Sequence, residues 1–237
     1  WQARLHGLRP CRVGADNNSG AMARSTLCLD YTISQLKTKL KSQVADMPVS
    51  VSSVFQVATA LCLAQVTRQT SIIYGFVLSL RPLLDHVAPG VESFVGPCLN
   101  TLIQTLSLQG NETLPAIARR VHEAHIDACQ DGMPLVGVEM VQRWSGSEDK
   151  LFDSLLSINV VPEQVAKLEP GQMSLVRTQS KSDLALAIDI DLHADGKHVG
   201  ACGHNHCHHS NLSLPASTLA AFGAPLPARW MNAGDAA

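Results

Sequence analysis

Aromatic residues are scarce in this chain, at 4% of its 237 residues, and charged residues account for only 16%. With so few aromatics and with its basic residues scattered, the chain lacks the stacking platform on which single-stranded nucleic acids bind. A formal net charge of −2 gives no electrostatic attraction to nucleic acid or to an anionic membrane. We therefore expect neither a nucleic-acid nor a membrane partner.

A secretory signal peptide and a membrane-length apolar run are also missing. The most apolar predicted helix, residues 54–66, is too short to span a bilayer. The seven cysteines are scattered and do not show the paired spacing of a disulfide framework. That distribution favours a reducing compartment, so we expect a cytoplasmic protein.

Common catalytic signatures are absent as well. The sequence contains no Gly-x-Ser-x-Gly, no phosphate-binding glycine loop and no His-Glu-x-x-His. No motif therefore places a serine nucleophile, a bound nucleotide or a catalytic zinc ion.

What the sequence does contain is a set of strand and helix patterns typical of a layered α/β domain. Apolar runs at residues 72–78 and 152–161 predict buried strands, and residues 184–192 alternate apolar and polar with the period of a half-buried strand. Apolar stripes at residues 54–66 and 114–128 predict helices. The predicted fold class is α/β, with a mixed β-sheet covered by helices.

The stretch from residue 72 to residue 106 organises the chain. Its first strand ends in Ser79-Leu80-Arg81-Pro82, a loop rich in Pro and Gly follows, and a second strand begins near Val95-Gly96-Pro97-Cys98-Leu99-Asn100-Thr101-Leu102. This last segment resembles the VGPFxNTLP core motif of nonribosomal peptide synthetase condensation domains. Ser79-Leu80-Arg81 lies where that family usually has Ser-Gly-Arg.

The resemblance covers roughly residues 27–201 and implies the C-terminal lobe of a condensation domain, with a chloramphenicol-acetyltransferase-like sandwich fold. On that basis residues 1–25 are expected to be an inter-lobe linker and residues 26–201 the lobe. Residues 202–237, which are His/Cys-rich and then Ala/Pro-rich, do not resemble the family and are expected to be a disordered tail. A translated intron, a frameshift or a divergent end would each produce such a tail.

The family's catalytic motif, His-His-x-x-x-Asp-Gly, belongs to the N-terminal lobe and does not occur in this sequence. We therefore assign no catalytic residue, and we expect the chain alone to be inactive. The resemblance implies instead that this lobe forms the acceptor-side wall and floor of a tunnel for pantetheine arms. The residues implied at the tunnel are Ser79, Arg81, Gly96, Pro97, Asn100 and Thr101.

A structural interpretation of the same residues stays open, in which Asn100 and Thr101 satisfy loop backbone groups and Arg81 forms an ion pair. The sequence also departs from the family pattern. Leu80 replaces the usual Gly, Ile103 replaces the Pro, and Gln104 stands near a common Arg. These departures are compatible with a divergent lobe.

The resemblance implies no cofactor bound by this lobe, because the substrates arrive on the phosphopantetheine of carrier proteins. It implies peptidyl or acyl carrier domains and the missing N-terminal lobe as partners. The complete domain would join a carrier-bound acyl or peptidyl thioester to a carrier-bound aminoacyl amine. The alternative is a degenerate module that only docks a carrier.

A weaker, third hypothesis is a metal-binding protein. The tail contains closely spaced cysteines and histidines, whose thiolate and imidazole groups suit zinc, copper and nickel. The spacing is too tight for a zinc finger, and His-rich tracts also bind metals adventitiously. A separate pair, His122 and His125, is expected on the solvated side of its helix. The weak candidate ligands in the tail are Cys202, His204, His206, Cys207, His208 and His209.

Overall fold

The computed structural model describes residues 5, 9–13, 25–32, 50–85, 88–130, 133–161, 184–193 and 198–205. All statements below concern these residues. The helix predicted after Thr32 and the tail beyond residue 205 lie outside them.

The described residues form one six-stranded mixed sheet, with strand order β1-β6-β5-β4-β2-β3. Strands β2, β4 and β5 run parallel to one another, whereas β3, β6 and β1 pair antiparallel with β2, β5 and β6 respectively. This confirms the predicted fold class. The strands are β1 (Ser25–Thr32), β2 (Ser71–Ser79), β3 (Leu99–Ser107), β4 (Ser154–Val161), β5 (Leu186–His193) and β6 (His198–Asn205).

Four α-helices accompany the sheet in the described part of the chain. The two long ones, α1 and α3, pack against each other, and short turns of 3-10 helix occur at residues 91–93 and 133–135. No helix in the described part of the chain is long and apolar enough to cross a bilayer. The α-helices are α1 (Val51–Thr67), α2 (Arg81–Leu84), α3 (Leu114–Ala128) and α4 (Val138–Trp144).

Ser50 and Ser52 both precede the apolar stripe of helix α1 as candidate caps, and the helix begins after Ser50, whose side chain accepts a hydrogen bond from the Ser53 backbone N–H at 3.1 Å. It lies over the face of β2 that carries Tyr74, whose hydroxyl donates to the Gln56 carbonyl at 3.3 Å. Helix α3 lies over the same face, where the His125 ring contacts Phe76. The core is therefore between these helices and the middle of the sheet.

On the face of the sheet away from α1 and α3, side chains fill the space beside Gly75 in strand β2. A Cβ added at Gly75 would lie only 2.8 Å from side-chain atoms of Leu155 and Phe152, so this position has room only for glycine. Leu5 and Cys11, within the predicted linker, are buried in the core. These two described residues therefore belong to the hydrophobic core of the sheet.

Strand β5 follows the predicted alternation, with Leu186, Ile188 and Ile190 buried. The signals around Asp195-Gly196 predict a hairpin whose return strand begins at His198, and strand β6 does run from His198 to Asn205. The boundary predicted after residue 201 falls inside this strand. Cys202 and His204 therefore belong to the sheet, and residues 206–209 lie outside the described part.

Candidate functional site

The three parallel strands β2, β4 and β5 all end at one edge of the sheet, here called the carboxyl edge. Strand β3 begins at the same edge, because its Leu99 pairs with Ser79 and its Asn100 pairs with Leu78. Ligands of open α/β sheets commonly bind outside the carboxyl ends of parallel strands. The carboxyl edge therefore holds the residues that the sequence singles out.

Arg81 organises the connection between β2 and β3. Its Nη1 donates to the carbonyl oxygens of Val91 and Phe94, each at 2.8 Å, and its Nη2 donates to the Gly96 carbonyl, also at 2.8 Å. The connection, residues 80–98 with residues 86 and 87 not described, is called the Arg81 loop below. These three partners of the guanidinium are backbone carbonyls, in place of the carboxylate of the ion pair considered from sequence.

Both ends of the Arg81 loop are joined by the backbone. Leu80 N donates to the Cys98 carbonyl at 2.8 Å, which extends the β2–β3 pairing by one residue. Within the loop a Cβ added at Gly96 would lie 2.7 Å from the Phe94 ring. The glycine therefore allows the aromatic ring to lie against the backbone, and Pro97 is exposed beside it.

Asn100 joins the start of β3 to the 3-10 turn at residues 133–135. Its Nδ2 donates to the carbonyl oxygens of Pro134 and Val136, the latter at 2.9 Å. Its Oδ1 accepts from the Thr101 backbone N–H at 2.9 Å. Both ends of the amide are engaged in holding the backbone.

Of the implied tunnel residues, Ser79 is exposed and Thr101 is half-buried. Thr101 lies on the face opposite the helices, where its Cγ2 would be 3.0 Å from a Cβ at Gly75. These two residues are two positions apart in the β2–β3 ladder, since Val77 pairs with Thr101, Leu78 with Asn100 and Ser79 with Leu99.

Large apolar side chains are exposed along this edge. Val95 is 95% exposed and Phe94 57%, both in the Arg81 loop. Leu99 at the start of β3 and Leu135 in the adjoining 3-10 turn are exposed to a similar degree. We call Phe94, Val95, Leu99 and Leu135 the apolar rim. Exposed apolar clusters of this kind mark interaction surfaces.

Polar side chains on β4 and β5 interact with one another on the face of the sheet opposite α1 and α3. The Asn159 amide donates to Asp191 Oδ1 at 3.0 Å, and the Ser157 hydroxyl donates to Asn159 Oδ1 at 3.4 Å. We did not predict these residues as site residues. The alternation of β5 indicated only that Asp189 and Asp191 face away from its apolar side, and nothing in the sequence paired them with β4.

The expectation that His122 and His125 lie on the solvated side of their helix is wrong. His122 Nδ1 is 3.2 Å from the Ser53 hydroxyl, and the His125 ring is 5.3 Å from the Phe76 ring, centroid to centroid. Helix α1 and strand β2 approach this side of α3, which sequence periodicity did not reveal. Burial, and then the nearby His122, lower the pKa of His125.

The Ser53–His122 pair is not an accessible nucleophile, because Ser53 is 0% exposed. Within the described residues no three His, Cys, Asp or Glu side chains are arranged to hold a metal ion. The geometry of the carboxyl edge therefore supports binding and positioning of a ligand.

Comparisons with known proteins agree with this geometry. The family model of the condensation domain matches residues 2–196. The chain is similar to the nonribosomal peptide synthetase sidC of Aspergillus fumigatus, with 30% identity over 192 residues, covering 81% of this chain and 4% of that protein. It is also similar to the nonribosomal peptide synthetase fso1 of Omphalotus olearius, with 30% identity, covering 76% of this chain and 4% of that protein.

Among solved structures, the X-domain from teicoplanin biosynthesis matches with a TM-score of 0.69 and 19% identity, covering 99% of this chain and 53% of that chain. The condensation domain of the Monacolin K polyketide synthase MokA matches with a TM-score of 0.68 and 12% identity, covering 95% of this chain and 53% of that chain. At these identities the matches establish the fold, and they confirm the predicted chloramphenicol-acetyltransferase-like class.

Proposed function

Because this chain belongs to the condensation-domain family, we propose that it is the C-terminal lobe of a nonribosomal peptide synthetase condensation domain. The complete domain joins a carrier-bound acyl or peptidyl thioester to the amine of a carrier-bound aminoacyl group. The lobe described here forms the acceptor-side wall and floor of the tunnel between the two carrier-bound arms.

One observation carries the assignment to a single lobe. The chain is covered almost completely by its structural neighbours, yet it accounts for only about half of each, namely 53% of the X-domain and 53% of the MokA condensation domain. A chain of one lobe matched to domains of two lobes gives this ratio. The curated relatives are far longer still, since the chain spans only 4% of sidC.

The geometry of the carboxyl edge divides the implied tunnel residues into two groups. Arg81, Gly96 and Asn100 hold the wall in shape, because their contacts are with backbone atoms or with the Phe94 ring. Ser79 and Thr101 present hydroxyls beside that wall. We propose that these hydroxyls contact the amide groups of the pantetheine arm, while Pro97 and the apolar rim contact its apolar segments.

The chemistry of the proposed reaction requires a group that this chain does not supply. Attack of the acceptor amine on the thioester requires removal of a proton from the nitrogen, which a suitably placed base assists. The family's His-His-x-x-x-Asp-Gly motif is absent from this sequence. Orientation of the two reactants provides most of the remaining acceleration. A single lobe forms only half of the tunnel and therefore positions neither arm. We therefore propose that the chain alone is inactive.

The experiment compares this chain with a version extended upstream to include a His-His-x-x-x-Asp-Gly segment. Donor and acceptor are supplied on carrier proteins, and amide formation is followed by mass spectrometry. We expect product only from the extended chain. Turnover by the chain alone would overturn its proposed inactivity.

The runner-up function is a module that docks carrier proteins without catalysis, and the apolar rim is the observation that favours it. It predicts that the extended chain binds an acceptor-loaded carrier but forms no product. A titration of the carrier against both chains, run beside the turnover assay, separates the two functions. Binding with turnover supports the condensation domain, and binding without turnover supports the docking module.

A further inference from the structure

Two cysteines far apart in sequence lie directly opposite each other in the sheet. The antiparallel register of β1 and β6 pairs Cys28 with Cys202, in the middle of a ladder that runs from Ser25 and Asn205 to Thr32 and His198. Flanking pairs on both sides of the cysteines keep the same register, so the pairing does not depend on a strand end.

We propose that Cys28 and Cys202 form a reversible cross-strand disulfide that fastens the edge strand β1 to the rest of the sheet. Directly opposite residues of an antiparallel pair have Cα atoms about 4.5–5.5 Å apart, whichever hydrogen-bonding type the pair has. Disulfides join residues whose Cα atoms are roughly 4.4–6.8 Å apart. The backbone register therefore meets the distance requirement without rearrangement of the strands.

The oxidant is a low-molecular-weight disulfide such as oxidised glutathione. The thiolate of one cysteine attacks the glutathione disulfide, forms a mixed disulfide and releases one glutathione thiolate. The second cysteine thiolate then attacks the protein sulfur of the mixed disulfide, which forms the Cys28–Cys202 bond and releases the second glutathione thiolate. The two protons lost by the protein thiols are taken up by the released glutathione, so the protein is oxidised and the glutathione reduced.

Of the other described cysteines, Cys11, Cys62 and Cys129 are poorly suited to this exchange because they are buried to different degrees. Cys11, Cys62, Cys98 and Cys129 are all free, and Cys11 and Cys62 are buried. Burial raises the pKa of Cys62 to about 11 and also raises that of Cys129, and the thiolate is the form that attacks a disulfide. They therefore provide internal controls.

The position of β1 gives the bond a consequence. Strand β1 is the outermost strand of the sheet and pairs with β6 alone. A bridge from Cys28 to Cys202 closes a loop that contains most of the chain, and long loops gain the most from constraint of the unfolded state. In a reducing compartment the pair remains as thiols, so the bond responds to oxidation and is not a permanent part of the fold.

The test incubates the native full chain in oxidised glutathione, blocks the remaining thiols by alkylation and digests the protein without reduction. We expect mass spectrometry to find a peptide pair joined through Cys28 and Cys202, which disappears after reduction. Cys28→Ser and Cys202→Ser should each abolish it and leave the remaining cysteine glutathionylated. Cys129→Ser should retain the bridge.

Two further measurements test the proposal, and the first of them uses the wild-type chain alone. The wild-type chain unfolded in urea should form the same bridge in much lower yield, because the register is lost and other cysteines compete. Oxidation should raise the Tm of the wild-type chain and of Cys129→Ser, but not that of Cys28→Ser. The proposal is overturned if Cys28 and Cys202 remain thiols, become glutathionylated separately, or bridge to other cysteines as often as to each other.

Discussion

The imidazole of His125 lies edge-on to the ring of Phe76, with the ring planes at 86°. Its Nδ1 is buried and has no hydrogen-bond partner among the residues that the structure describes, and its Nε2 is 3.8 Å from Cys129 Sγ. Such a site accommodates a neutral imidazole more readily than a charged one. Burial and the neighbouring His122 accordingly lower the pKa of His125.

This relationship predicts a loss of stability in mild acid. Because the pKa of His125 is lowered in the folded state, the unfolded state takes up the proton first as the pH falls. The stabilisation is therefore present above the ordinary histidine pKa of about 6.5 and is lost as the pH decreases below it. Urea unfolding of the wild-type chain at about pH 8 and at about pH 5, on either side of that value, should show this decline in the free energy of unfolding.

The matched variant is His125→Leu, which replaces the titrating imidazole with an apolar side chain of similar size. We expect a flatter stability profile between the same limits. If the variant declines as steeply as the wild type, His125 is not the group responsible.

Gly75 provides a packing test in the middle of the sheet. Gly75→Ala would place a Cβ 2.8 Å from atoms of Leu155 and Phe152, and we expect overpacking of this kind to cost about 1–3 kcal/mol of unfolding free energy. Gly137→Ala is the control, because nothing lies within 4 Å of the added Cβ there. Equal effects at the two glycines in urea unfolding would contradict the packing argument.

Asn100→Asp tests the junction between β3 and the 3-10 turn. The carboxylate still accepts from Thr101 N, but it replaces the donor that serves the Pro134 and Val136 carbonyls. We expect a loss of roughly 1–3 kcal/mol at neutral pH, since both carbonyls lose a partner and face a negative charge. The loss should shrink near pH 3, roughly where an aspartate becomes protonated and can donate again. A pH-independent loss, measured by urea unfolding, would contradict this account.

Arg81→Lys tests the Arg81 loop, because lysine retains the charge but not the planar fork that reaches three carbonyls. We expect faster hydrogen exchange at residues 88–98 and a cost of about 1–2 kcal/mol, corresponding to one or two lost hydrogen bonds. The control is Arg119→Ala, an exposed arginine on α3. In the upstream-extended chain, Arg81→Lys should also slow amide formation, whereas Arg119→Ala should not.

Local sequence signals were sufficient for much of the fold. Ser50 begins α1 because its hydroxyl serves the first turn, and the alternation of Leu186, Ile188 and Ile190 fixes the buried side of β5. Both are interactions between near neighbours, which a pattern of residue types records directly. The VGPxxNTL segment indicated the protein family, which hydrophobic periodicity alone cannot do.

What sequence alone did not provide depends on contacts between distant segments. The predicted surroundings of His125 were wrong, because its position on α3 does not reveal that Phe76 lies against it. For Asn100 the sequence left open a contact with the pantetheine arm or with backbone groups, and it could not indicate the carbonyl partners that lie more than thirty residues away. The end of β6 at Asn205 is likewise set by its pairing with β1 and β5. In each case tertiary structure determined the outcome.

The three carbonyl acceptors of Arg81 have a consequence for the conditions under which the Arg81 loop keeps its shape. Carbonyl oxygens do not ionise, and a guanidinium remains protonated throughout the physiological range. The dominant contacts of the Arg81 loop therefore do not change with acidity, and they involve no opposing charge for dissolved salt to screen. Acidification that loosens α3 through His125 should leave the Arg81 loop at the carboxyl end of β2 unchanged, so the shape of this loop and the global stability should respond separately to pH and salt.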